Sequence, residues 1–220
     1  LERVRYGRNK NLVVAATGTG KTVIAAFDYK RFKKQHPQAR LLFVAHRKEI
    51  LEQSLHVFRT VLKDGSFGEL FVGGVKPKEW RHVFASVQSL ARISSKVTAD
   101  SFDMVIIDEF HHAAAKTYQW LLDDLKPQIL LGLTATPERS DGRDVTTWFD
   151  GRISAELRLW EALEEGLLCP FHYFGVHDNT DLRGLNWTRG GYDKEQLESL
   201  LTGNSARVGI VLKELFKHVH

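Results

Sequence analysis

A chain of 220 residues, 43% hydrophobic and 26% charged, has the makeup of an ordinary globular protein with enough apolar surface to bury a sizeable core. One cysteine, Cys169, excludes an internal disulfide and a cysteine-rich zinc site, and no apolar stretch reaches the ~18 residues of a membrane span, so a cytoplasmic location without membrane contact is expected. The formal net charge of +4 suits a polyanionic partner without demanding one.

Arg3, Arg5, Arg8 and Lys10 open the chain as a solvated basic cluster that lacks the apolar core of a signal peptide. Leu12–Ala16 is a short β-branched apolar run of the kind that forms a strand buried on both faces. The loop Thr17-Gly18-Thr19-Gly20 follows, and its glycines let main-chain N–H groups approach an anion that a β-carbon would push away. Lys21 and Thr22 then open a helix on which Val23, Ile24 and Phe27 recur at helical spacing, running to about Gln35 and stopped by Pro37. A helix dipole, an ammonium and a hydroxyl suited to Mg²⁺ therefore converge on one point. The general phosphate-loop pattern places a glycine where this chain has Ala15, and a plain strand-to-helix turn is the alternative reading.

A second apolar run, Leu41–Ala45, precedes a helix that begins near Arg47 and carries Ile50, Leu51, Leu55 and Phe58 on one face. Lys30, Arg31, Lys33 and Lys34 read as a solvated face near the end of the preceding helix. Further runs at Val83–Val87, Met104–Ile107 and Ile129–Leu133 complete an alternation that predicts an α/β fold with a mostly parallel sheet flanked by helices. In such a sheet ligands sit beyond the carboxyl ends of the strands, so the residues that follow each run carry the function.

After the fourth run come Asp108-Glu109-Phe110-His111-His112. An acid at the end of an apolar strand is costly unless it faces a cation, so Asp108 is the candidate metal residue with Thr22, and Glu109 is placed to orient and deprotonate an attacking water. After the fifth run come Thr134-Ala135-Thr136-Pro137, whose hydroxyls can report on a terminal phosphate. Taken singly, the acids could be a helix N-cap and the threonines a turn, but their succession with the glycine loop favours one site. The adjacent His111 and His112 cannot easily share one ion, which argues against zinc.

These residues resemble the superfamily 2 helicases and translocases, in particular the bacterial DEAD/DEAH-box group related to the helicase subunits of type III restriction enzymes. The motifs are Ala15–Thr22, Val44–Leu51, Ser86–Leu90, Asp108–His111 and Leu133–Pro137, and alanine at Ala15 is tolerated in that group. The resemblance implies a RecA-like P-loop NTPase domain that binds ATP and Mg²⁺ through Thr17, Gly18, Thr19, Gly20, Lys21 and Thr22, with Lys21 and Asp108 in catalysis, Asp108 on the metal and Glu109 as base. It implies that His111, Thr134 and Thr136 couple phosphate state to nucleic acid, and that His46, Arg47, Ser86 and Gln88 face the strand, DNA being favoured over RNA. Ser86 stands where many relatives have threonine. The family's upstream adenine-reading glutamine has no convincing counterpart here. No Gln-x-x-Gly-Arg pattern follows Pro137, and neither Arg139 nor Arg143 is expected to act as the arginine finger, so the chain alone is expected to be weakly active.

Beyond Pro137 the sequence is polar and loop-like from Arg139 to Asp150, and Leu157, Trp160 and Leu163 then suggest a helix ended by Gly166. Residues 1–165 are thus expected to be the first RecA-like domain, and residues 166–220 a linker and the beginning of a second whose remainder is missing. Phe171–Val176 is the expected first strand of that second domain. Trp187 and Tyr192 are expected to pack rather than stack on bases. A nucleotide switch, or a nucleic-acid-binding module without motor activity, is the competing reading.

Overall fold

The computed structural model describes residues 7–112, 116–138, 144–175, 181–188, 191–202 and 205–218. The chain divides into two compact units, Leu1–Cys169 and Pro170–His220.

The first unit is built on strands β1 (Lys10–Ala15), β2 (Leu41–Ala45), β3 (Glu69–Phe71), β4 (His82–Ser86), β5 (Met104–Ile107), β6 (Ile129–Thr134) and β7 (Ala155–Leu157), in the order β3-β4-β2-β5-β6-β1-β7. Every pairing among them is parallel, as the alternation of apolar runs predicts. Side chains alternate between two cores, because successive residues of a strand point to opposite faces. Val13, Phe43, Ile106 and Leu131 meet helices α1 (Lys21–Gln35) and α2 (Lys48–Leu62) on one face. Leu12, Val14, Val44, Val105 and Ile107 meet the short α3 (Val87–Ala91), α4 (Lys116–Asp124) and the 3₁₀ turn Val145–Phe149 on the other. Burial on both faces explains why the strands read as continuous apolar runs.

α1 spans the expected residues but presents a different face. Val23, Ile24 and Phe27 are 40%, 50% and 52% exposed, and the buried side is Ala25, Ala26, Tyr29 and Phe32. The alanines let the helix axis lie close to the sheet, while the aromatic rings fill the space further along; Tyr29 donates to Ala39 O at 3.1 Å. α2 buries Leu51, Leu55 and Phe58 as its spacing predicts.

Four other departures are local. Val87 begins α3 rather than ending a strand, because Ser86 caps that helix. β3 and β7 are three-residue strands without an apolar run to announce them. Leu157 ends β7 instead of joining the following helix, α5 (Leu159–Glu164), which does end at Gly166 through an N–H bond to Leu163 O at 3.1 Å. The segment expected to be loop holds the 3₁₀ turn Val145–Phe149, which buries Val145 and Phe149 and is capped by Asp144; Arg139 and Arg143 lie outside the described residues.

The second unit contains a hairpin of β8 (Trp187–Thr188) and β9 (Gly191–Tyr192), followed by α6 (Lys194–Thr202) and α7 (Ser205–His218). Trp187 and Tyr192 pack edge to face at 4.8 Å, as expected of packing, though Trp187 stays 64% exposed. Phe171–Gly175 forms no strand, contrary to expectation, and Val176 lies outside the described residues. Nothing pairs with that segment among the described strands, and an extended chain without a partner ladder is not a strand.

Candidate functional site

Because the strands are parallel, the residues that follow β1, β2, β4, β5 and β6 all emerge on one edge of the sheet, which brings the expected motifs to a common edge. β6 lies between β1 and β5, so Thr134 stands between the glycine loop and Asp108.

The loop after β1 is shaped by two left-handed glycines, Gly18 (φ +90°) and Gly20 (φ +86°), in a backbone region that side-chain-bearing residues avoid. Gly20 is the N-cap of α1 and no side chain caps it, so the N–H groups of the first turn face outward with the positive end of the dipole. Ala16 N–H donates to Leu157 O at 3.0 Å and Thr19 Oγ1 donates to Ala16 O at 2.7 Å, which fixes the loop's base. Lys21 folds back beneath it, donating from Nζ to Ala15 O at 2.9 Å and Ala16 O at 3.3 Å. Burial lowers the affinity of this amine for its proton, and the carboxylates of Asp108 and Glu109 pull it back up. Thr22 is half-buried in the first turn and Thr17 is exposed on the loop.

Asp108 follows β5 directly and is almost fully buried, its N–H donating to Val44 O at 2.9 Å and its Oδ1 accepting the N–H of Glu109 at 2.9 Å. Burial raises its pKa and the neighbouring Glu109 charge adds to this, against the Glu109 N–H and the Lys21 ammonium. A carboxylate in that position gains from a further cation. Thr22 and Asp108 supply two oxygen donors, a set that suits Mg²⁺, which keeps waters and substrate phosphates in its remaining positions. Among the described residues no group of three or more His, Cys, Asp or Glu side chains could hold a metal by itself.

Glu109 occupies the left-handed region (φ +52°), a strained position for a residue with a side chain. Its Oε2 lies 3.3 Å from His111 Nδ1, and the same nitrogen lies 3.1 Å from Thr134 Oγ1. Thr134 is fully buried; its hydroxyl donates to Thr136 O at 2.9 Å and accepts the Thr136 N–H at 3.2 Å. With its one proton spent on Thr136, Thr134 Oγ1 can only accept from His111, which puts a hydrogen on Nδ1 and aims it at Thr134 and Glu109. The chain Glu109, His111, Thr134, Thr136 is thus continuous.

Sequence reasoning missed Tyr118 on α4, which is 2% exposed, and whose hydroxyl has no hydrogen-bond partner among the described residues. Burial, then the charges of Asp108 and Glu109, push its pKa up to about 12. The helical spacing of Tyr118, Leu121 and Leu125 was the available signal for a core helix after Asp108.

Of the residues expected to face nucleic acid, Arg47 is exposed as the extended N-cap of α2, His46 is half-buried beside it, and Gln88 is exposed on α3. Ser86 is placed differently from these three. It is 4% exposed and caps α3, its hydroxyl accepting the Ser89 N–H at 3.2 Å and donating to Ser89 Oγ at 2.9 Å.

The parallel sheet, its flanking helices and the glycine loop at the head of α1 define a RecA-like P-loop domain, and the helicase domain of Hef from Pyrococcus furiosus shares the fold, with a TM-score of 0.56 over 69% of this chain and 35% of that one at 22% identity. The chain belongs to the family described as Type III restriction enzyme, res subunit, whose model matches residues 1–139. It is 27% identical over 98% of its length to IRC3 of Saccharomyces cerevisiae, proposed by its name to be an ATP-dependent helicase, and 29% identical over 88% of its length to the type I restriction enzyme EcoAI endonuclease subunit of Escherichia coli. It spans 32% of the first and 25% of the second.

Proposed function

We propose that this chain is the ATP-binding part of a nucleic-acid-dependent ATPase, a helicase or translocase that hydrolyses ATP to move on DNA. The observation that carries the reading is the unbroken chain from Glu109 through His111 to Thr134 and Thr136, which ties the candidate hydrolytic carboxylate to the strand end beside the glycine loop. The helicase and restriction-enzyme names of the relatives support the same reading, and the restriction-enzyme family favours DNA.

In this account the N–H groups of Thr17 to Thr22 and the Lys21 ammonium bind the phosphates, and Glu109 takes the proton of the attacking water. Thr22 and Asp108 would hold Mg²⁺, which would neutralise phosphate charge when bound. His111 and Thr134 transmit the state of the site to the strand ends that carry Arg47 and Gln88, which face the nucleic acid. Residues 166–220 are read as the linker and the beginning of a second RecA-like domain, and an arginine finger supplied by such a domain would be worth roughly 10³ to 10⁵ in rate.

The test is ATP turnover by the full-length protein with and without single- and double-stranded DNA and RNA. Stimulation by DNA supports the motor; turnover indifferent to every nucleic acid makes the protein a nucleotide switch.

A further inference from the structure

The segment that ends the first unit runs across the glycine loop. α5 stops at Gly166, whose φ of +67° turns the chain back, and the N–H groups of Leu167 and Leu168 both bond to Ala162 O, at 2.9 and 3.2 Å. That cap fixes where Leu168 lies: its Cδ2 sits over Gly18, so that a β-carbon built on Gly18 would come within 3.1 Å of it. Leu167, one residue earlier, is 58% exposed. The same segment is anchored on both sides of the site. Leu157 O accepts the Ala16 N–H at the loop's base, and Arg158 pairs at 2.8 Å with Glu138, just beyond Thr136 and Pro137. One residue past Leu168 the first unit closes at Cys169.

We propose that Leu168 is a positioning residue for the phosphate loop, its side chain holding Gly18 in the shape that receives phosphate and so coupling nucleotide binding to the segment that leads into the second unit. The proposal rests on the reading of this loop as the nucleotide site. Glycine has the widest conformational freedom of any residue, and an apolar side chain laid on Gly18 removes part of that freedom before the ligand arrives. Ordering completed beforehand is not charged against binding. The coupling is reciprocal, so a nucleotide that needs the ordered loop must also quiet the strap that orders it.

The test uses Mg²⁺ with N-methylanthraniloyl-ADP, read by fluorescence, and hydrogen exchange of residues 166–169 with and without ADP. Leu168→Ala should weaken binding about 5-fold, the low end of typical coupling energies. Leu168→Ile should restore it, Leu167→Ala should leave it unchanged, and nucleotide should slow exchange at Leu168 in the wild type. Wild-type binding with an unweakened Leu168→Ala, or exchange indifferent to nucleotide, overturns the proposal and leaves the loop assignment standing. A wild type that binds no nucleotide overturns the loop assignment itself.

Discussion

His111 Nδ1 lies 3.1 Å from Thr134 Oγ1, joining the turn after β5 to the end of β6 through a hydroxyl that is fully buried. Two donors, His111 Nδ1–H and the Thr136 N–H, converge on that one oxygen.

Thr134→Val keeps the shape and removes the acceptor. Nucleotide affinity should stay near wild type while DNA-stimulated turnover falls roughly tenfold, the equivalent of ~1.4 kcal/mol. Thr134→Ser should recover most of it. Steady-state kinetics with saturating DNA check this, and full stimulation in the valine variant would remove the threonine from the coupling path.

Asp108 is a buried acid whose fold disfavours its charge, so Asp108→Asn should stabilise the ligand-free protein, by about 2–4 °C in Tm for each kcal/mol relieved. The same change should abolish the gain in nucleotide affinity that Mg²⁺ provides. Thermal melts with and without Mg²⁺ and nucleotide separate the effects, and a lower Tm in the ligand-free variant would show that Lys21 already compensates the charge.

Gly132, in the middle of β6, is a glycine because its neighbours lie on it. A β-carbon there would come within 2.5 Å of Phe149 Cζ and 3.1 Å of both Leu12 Cδ1 and Phe110 Cδ2. Gly132→Ala should therefore cost about 1–3 kcal/mol in denaturant unfolding. Wild-type stability would mean that Phe149 moves aside freely.

His82 stacks on Phe67 at 4.5 Å and meets the Tyr29 hydroxyl at 3.3 Å. Burial, then the charges of Lys33 and Arg81, lower its pKa to about 4 from 6.5. The unfolded chain then binds more protons between those values, so stability is complete above pH 6.5 and falls as the pH drops towards 4. His82→Phe keeps the stacking and should flatten the dependence of Tm on pH between 5 and 6.5. An unchanged slope would place the acid sensitivity elsewhere.

The fold was legible where burial on both faces leaves an unbroken apolar run, as in Leu41–Ala45 and Met104–Ile107, and the strand ends then marked the motifs. It was not legible in β3 and β7, three-residue strands whose pairing is decided by their neighbours. Periodicity set the extent of α1 but not its orientation, because the small Ala25 and Ala26 win close approach to the sheet over the larger Val23 and Ile24. At the site, types and spacing pointed to Lys21, Asp108 and Glu109. The contacts of Lys21 with Ala15 O, of His111 with Thr134 and of Leu168 with Gly18 depend on which strands lie side by side, and a single sequence does not give that order.

In the proposed reading the glycine loop holds nucleotide in the ground state and Glu109 acts on the attacking water. There Lys21 would meet charge already present in the bound nucleotide, whereas Glu109 would contribute only as the reaction proceeds. The direct measurement is nucleotide binding beside turnover in the full-length protein and its Lys21→Ala and Glu109→Gln variants. Lys21→Ala should lose the thermal stabilisation that a ligand at ~100 times its Kd gives, about 2.7 kcal/mol, and Glu109→Gln should keep it while hydrolysis disappears. Equal stabilisation of the wild type and Lys21→Ala, or undiminished hydrolysis by Glu109→Gln, would contradict the account.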